Sequence, residues 1–277
     1  MKKFFSITAI CSLLLLANAC NDDNKNPQYI FADMQMINHV CNTSSEADKA
    51  VCQYGEYELT INLDDYTASL NSFAILDEDG FSGSIDATGI PVTYNKTMGG
   101  YVIKAGTINN KGTLKGIFDL NLFLDYRSTE NPTSRVSFSV GDYRVNATGN
   151  ILKVANPAVE VTSLVNGETR NENGASFIAT INPDNNKATL VIKNLTIGNN
   201  TLNEITYANL DLNITKEGYK IVTDGDRKPS SLNGGNLGDL DKYVMKALDW
   251  KFNLDLETVT ATFTIKDMAD VTVNGYF

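Results

Sequence analysis

The chain of 277 residues has one histidine, one tryptophan and six prolines. Nucleophilic triads usually take their general base from imidazole, so His39 alone, with no GxSxG elbow anywhere, leaves no Ser/His/Asp arrangement to assemble. Cys11, Cys20, Cys41 and Cys52 contain no CxxC pair, and zinc therefore lacks a ligand set. No glycine loop of the phosphate-cradling kind occurs. Asp64 and Asp65 are adjacent and point apart, so they do not flank a glycosidic bond as an acid and a nucleophile must. The stretch LDEDG carries Asp77 and Asp79 but lacks the other ligands of a calcium loop and reads as a turn. Positive charge is scarce: 23 Lys and Arg stand against 33 Asp and Glu, for a net charge of -10. A surface of that sign repels phosphate, which excludes nucleic acid and anionic membrane surfaces as partners. The expectation is a protein that is not an enzyme and uses no cofactor or metal.

What is present begins with an export signal. Lys2 and Lys3 form a positive start, Phe4 to Leu16 an apolar core, and Ala17, Asn18 and Ala19 a small-residue exit. That core is shorter than the roughly 20 apolar residues of a membrane span. Residues 1–19 are thus read as a signal peptide and residues 20–29, rich in Asn and Asp and broken by Pro27, as a solvated tether.

The motif LANAC, ending at Cys20, resembles a bacterial lipoprotein signal, which implies acylation of Cys20 and attachment to membrane through the lipid. Asp22 and Asp23 resemble the acidic export signal of surface lipoproteins of the Bacteroidetes type, which implies an outer-membrane anchor and exposure at the cell surface. Acylation also balances the cysteines: Cys11 leaves with the signal, and Cys41 and Cys52 remain as an even pair. The expected state of that pair is a disulfide closing a short loop, worth roughly 3 kcal/mol by loop entropy; two separate thiols are the alternative.

Beyond the tether the chain is written twice. YELTINLDDYTASL at Tyr57 returns as FIATINPDNNKATL at Phe177, an offset of 120 that also carries Ile85, Ile90 and Val92 onto Ile205, Leu210 and Leu212. GYVI at Gly100 matches GYKI at Gly218, FDLNLFLD at Phe118 matches LDWKFNLD at Leu248, and DYRVN at Asp142 matches DVTVN at Asp270. DMQMIN at Asp33 pairs more weakly with AVEVTS at Ala158. The two copies are placed at 30–150 and 151–277.

Within each copy apolar residues alternate, as in Leu59, Ile61 and Leu63 or Leu120, Leu122 and Leu124, and this is the period of strands. Copy one reads as eight strands: Phe31–Val40, Tyr57–Leu63, Ala68–Leu76, Ser82–Tyr94, Tyr101–Ile108, Leu114–Tyr126, Arg135–Val140 and Tyr143–Thr148. Short turns between them favour an all-β antiparallel meander closing into a barrel, hence two tandem barrel domains, with two β-sandwiches as the alternative. The terminal VTVNGYF reads as the last strand of a soluble domain.

The barrel reading resembles the calycin-like and lipocalin-like domains of uncharacterised Bacteroidetes-type lipoproteins, although no GxW motif opens the first strand. The resemblance implies non-catalytic binding of a small apolar ligand or a glycan; contact with partner proteins in a structural or adhesive role is the alternative. Candidate contacts are the aromatic residues Tyr101, Tyr219, Trp250 and Phe252, with core packing as their bland reading. About twelve extra residues between Gly218 and Asp249 are the expected rim element, and the Cys41–Cys52 loop is read as absent from copy two.

Overall fold

The computed structural model describes residues 28–48, 50–75, 82–125, 134–223, 225–233 and 240–277. The signal segment, Cys20, Asp22, Asp23, Pro27, Asp77 and Asp79 lie outside the described residues. The chain divides into two compact units, residues 1–46 with 51–149, and residues 47–50 with 150–277. Among the described residues no helix is long and apolar enough to cross a membrane.

The first unit holds β1 (Tyr29–Asn42), β2 (Ala50–Asn62), β3 (Thr67–Ile75), β4 (Gly83–Asn95), β5 (Gly100–Thr107), β6 (Ile117–Asp125), β7 (Ser134–Val140) and β8 (Tyr143–Thr148). They form a closed antiparallel barrel in chain order, the expected meander, so the sandwich alternative does not describe this unit. Closure runs through β1: Ile37–Asn42 pair with β8, while at the other end Leu63 N donates to Gln28 O. Alternation supplies the core. Ile30, Ala32, Met34 and Met36 of β1 are buried with Leu120, Leu122 and Leu124 of β6, whereas Tyr29 and Phe31 face solvent.

The second unit holds β9 (Ile151–Lys153), β10 (Ala155–Ser163), β11 (Thr169–Glu172), β12 (Ser176–Asn182), β13 (Lys187–Ile197), β14 (Asn200–Thr215), β15 (Gly218–Val222), β16 (Ser231–Asn233), β17 (Met245–Asn253), β18 (Thr258–Ile265) and β19 (Ala269–Tyr276). A 3-10 turn, Leu240–Tyr243, precedes β17. The strands form one large sheet in the order β11-β10-β19-β18-β17-β15-β14-β13-β12-β9, with β16 added to β14.

The strand registers repeat between units. Leu59 faces Leu70 and Ala179 faces Leu190; Ala68 faces Ile90 and Ala188 faces Leu210. Each ladder then slips by one residue, so that Leu70 faces Ala87 and Leu190 faces Tyr207. The bulge needs a left-handed residue in both units, supplied by Gly89 (φ 70) and Asn209 (φ 56). The preceding turns match too: Asn62 Oδ1 accepts from Asp64 N at 2.9 Å and Asn182 Oδ1 from Asp184 N at 3.0 Å. Gly100 and Gly218 share a different cause. A β-carbon there would stand 2.4 Å from Leu124 O and 2.3 Å from Phe252 O, because the neighbouring strand crosses too closely for a side chain.

These ladders correct three sequence matches. Tyr101 faces Leu124 and Tyr219 faces Phe252, so FDLNLFLD corresponds to Lys246–Asn253, two residues from the match at Leu248. Phe138 faces Val145 and Phe263 faces Val271, which moves the DYRVN match by two as well. Asn38 faces Ala147 and Val159 faces Val273, so Asn38 corresponds to Val159 rather than to Ser163. Each error is an even number of residues. A shift of two keeps every side chain on its own face, and alternation alone cannot detect it. The Cys41–Cys52 stretch likewise has a counterpart, the β10–β11 hairpin, whose last pair is Thr162 and Thr169.

Candidate functional site

Three turns gather at one end of the second unit. In the β10–β11 hairpin Ser163 N donates to Glu168 O and Gly167 N to Ser163 O, both at 2.9 Å, and Gly167 takes φ 73. Leu164 N donates to Met268 O at 2.9 Å, tying the hairpin to the β18–β19 turn. Arg170 ties it to the β13–β14 turn, since its guanidinium donates to Gly198 O at 2.8 Å and to Thr196 O at 2.5 Å. The third face of the same group meets Glu172 at 2.8 Å.

Between these turns lies an open groove of about 380 Å³. Buried Val161, Ile197 and Ala269 form its floor. Its rim carries Asn166, Glu168, Arg170, Asn199 and Asn200. Arg170 already serves three oxygens, and Asn166 Nδ2 donates to Glu168 Oε2 at 2.9 Å while Asn166 Oδ1 accepts from Glu168 N at 3.1 Å, so the rim offers mainly the Asn199 and Asn200 amides beside one carboxylate. That chemistry suits hydroxyl groups better than an anion, and the apolar floor suits the less polar face of a sugar ring.

The residues singled out from the sequence are scattered. Tyr219, Trp250 and Phe252 are at most 1% exposed, so their rings face the interior of the second unit and not its surface. Trp250 packs 5.4 Å from Phe177 and 6.1 Å from Phe252, and Phe252 meets Phe277 edge-on at 5.3 Å. These rings are core. Tyr101 is half-buried and faces Tyr94 across β4 and β5, with ring centres 5.1 Å apart. Cys41 is buried at the end of β1 and Cys52 half-buried near the start of β2, and no disulfide joins them in this structure. Asp65 serves its turn, accepting from Thr67 N at 3.1 Å and Thr67 Oγ1 at 2.7 Å. Among the described residues no cluster of His, Cys, Asp or Glu is arranged to hold a metal ion.

Part of the rim insertion in copy two is structural. Arg227 N and O both bond Met245 at 2.9 and 2.8 Å, and its side chain meets Asp211 at 3.2 Å. Lys187 also bonds Asp211, and that bond holds the carboxyl below its ordinary range; burial opposes it, and the charges of Lys187 and Arg227 and the Arg227 hydrogen bond outweigh that opposition.

Sequence reasoning missed a polar cluster inside the first barrel. Tyr57, wholly buried, donates its hydroxyl to Asn38 Oδ1 at 2.6 Å, and Ser72 stands directly opposite Tyr57 on β3. Burial pushes the Tyr57 phenol far above its ordinary range, offset in part by the Ser72 hydroxyl. Among the described residues neither Asn38 Nδ2 nor Ser72 Oγ, both buried, has a partner in full hydrogen-bond geometry, although the Ser72 hydroxyl lies close enough to the Tyr57 phenol to act on it. Their signal in the sequence was an Asn and a Ser at inward positions, visible only once the register is known.

Compared with known protein families, curated proteins and solved structures, the chain has no match.

Proposed function

We propose that this chain is an outer-membrane lipoprotein, anchored through acylated Cys20 and exposed at the cell surface, whose second unit binds a glycan without catalysis. The groove of about 380 Å³ with an amide-rich rim is the observation that carries the binding reading. Its size falls within the roughly 300–1,000 Å³ of small-molecule sites. The buried rings of Trp250 and Phe252 favour a glycan at the surface over an apolar molecule in the interior of this unit.

The second unit is read as a barrel like the first. β9 and β10 are one stretch of chain broken only at Val154, whose amide bonds Phe177 O at 3.0 Å. Lys153 pairs with Ile178 and Val159 with Glu172, and these two pairs fit one unbroken hairpin register. β10 also pairs with β19, so this bent first strand joins the two ends of the sheet as β1 does in the first unit.

Binding to a panel of immobilised oligosaccharides tests the reading, using the exported chain from Asn24 onward and its Asn199→Ala/Asn200→Ala variant. Retention by the wild type and loss in the variant are expected; retention by neither overturns the glycan reading. Acyl labelling of the wild type against Cys20→Ala tests the anchor, and equal labelling refutes it. A protein partner is the second reading, favoured by Leu164 and Val165, which stand 47% and 83% exposed at the hairpin tip beside the groove.

A further inference from the structure

The two units supply an internal control for each buried residue. In the second unit the positions of Asn38, Tyr57 and Ser72 are taken by Val159, Phe177 and Ile192, all buried and apolar. The matched strand pairs therefore form without a polar group at any of them. Burying the Asn38 amide and the Ser72 hydroxyl without full partners costs stability that the second unit avoids at these three positions, though it buries Trp250 Nε1 in the same way.

Side-chain size points the same way. Ala87 corresponds to Tyr207 and Leu122 to Trp250, so the first barrel carries much smaller groups at two inward positions of a matched register. Both border the polar cluster. Ser72 faces Ile85, two residues from Ala87 on β4, and Trp250 touches the ring of Phe177, the counterpart of Tyr57. Leu114, from the connection before β6, joins this core, as do Met34 and Met36 on β1. Unbranched methionines repack at low cost around an added molecule.

We propose that the interior of the first barrel is a binding site for a small neutral amphipathic molecule, held by its acceptor oxygen on the Asn38 amide and Ser72 hydroxyl. Its apolar body lies toward Ala87 and Leu122, where the second unit places Tyr207 and Trp250. Tyr57 is a positioning residue: its hydroxyl occupies Asn38 Oδ1 and so turns the Asn38 NH2 toward the ligand. Gly55 belongs to the same device, because a β-carbon there would stand 2.2 Å from Asn38 Nδ2. No charged group is needed, and a carbonyl or hydroxyl headgroup fits the two donors. The proposal shares the non-catalytic binding reading but not the groove.

The test is fluorescence titration of the chain from Asn24 onward with prodan, a neutral naphthyl ketone whose emission shifts to the blue on burial. Saturable one-to-one binding is expected for the wild type. Asn38→Val/Ser72→Ile, the residues copy two already carries, should weaken it by about tenfold or more, the order of one buried ligand hydrogen bond. Ala87→Tyr should weaken it by filling the space, and an unchanged circular dichroism spectrum and thermal unfolding profile verify the fold. Tyr57→Phe, the mildest change, gives a smaller loss if the larger variants fail to fold. The Asn199→Ala/Asn200→Ala variant should bind prodan as the wild type does. No saturable binding by the wild type, as when the cluster holds only water, overturns the proposal; so does equal affinity in all first-barrel variants, or loss of binding in the groove variant.

Discussion

Replacing Trp250 by alanine deletes an indole that is wholly buried and packed against Phe177 and Phe252. Large-to-small changes of an aromatic core residue cost about 3–5 kcal/mol, the lost transfer energy together with the cavity left behind. With a urea dependence of about 2 kcal/mol/M, that loss moves the unfolding midpoint of the second unit down by roughly 1.5–2.5 M. Trp250 is the chain's one tryptophan, so unfolding of the variant is followed by circular dichroism. In the wild type the same buried indole is expected to give a blue emission maximum and to resist acrylamide. A midpoint shift below roughly 0.5 M would mean that the ring lines open space instead of filling the core. The indole would then be a candidate ligand contact and not a core ring.

Gly218→Ala places a β-carbon against Phe252 O at φ 145 and should lose about 1–3 kcal/mol in thermal unfolding, whereas Gly106→Ala, with open space around it, should be near neutral. Tyr57→Phe removes the donor to Asn38 and should cost about 1–3 kcal/mol, most of it recovered when Asn38→Val is added, because an all-apolar set leaves nothing unpaired. Asp211 has a depressed folded-state pKa, so its contribution is present above the ordinary carboxylate range and is lost as pH falls through the folded value. The stability gap between wild type and Asp211→Asn, measured in urea, should hold from about pH 7 to 5 and close below about pH 4. It should also shrink with added salt, since Asp211 is a third exposed.

Alternation and turn chemistry placed all eight strands of the first barrel, within about three residues at most ends, because its strands bury one face and end at Asn, Asp and Gly turns. β2 is the exception, starting at Ala50 where alternation was read from Tyr57; its first residues, Ala50 to Tyr54, are all half-buried and show no period. The internal repeat was legible for the same reason, but its register was not, as the two-residue slips at β6 and β8 show. Register is fixed by bulges at Asp119 and Ala247 (φ 54 and 50), and neither residue announces a left-handed backbone. The groove was illegible because its floor and rim come from three turns separated by up to about a hundred residues. The aromatic residues attracted attention as ligand contacts on type alone, and type does not reveal which face of a strand a ring occupies.

Native mass spectrometry of the chain from Asn24 onward, purified without denaturation, addresses the binding account most directly. The account predicts one small neutral molecule retained by the wild type and absent from Asn38→Val/Ser72→Ile. On addition of a saccharide retained by the panel, it predicts a further adduct absent from Asn199→Ala/Asn200→Ala. The bare chain mass in every sample, with and without added saccharide, would contradict it.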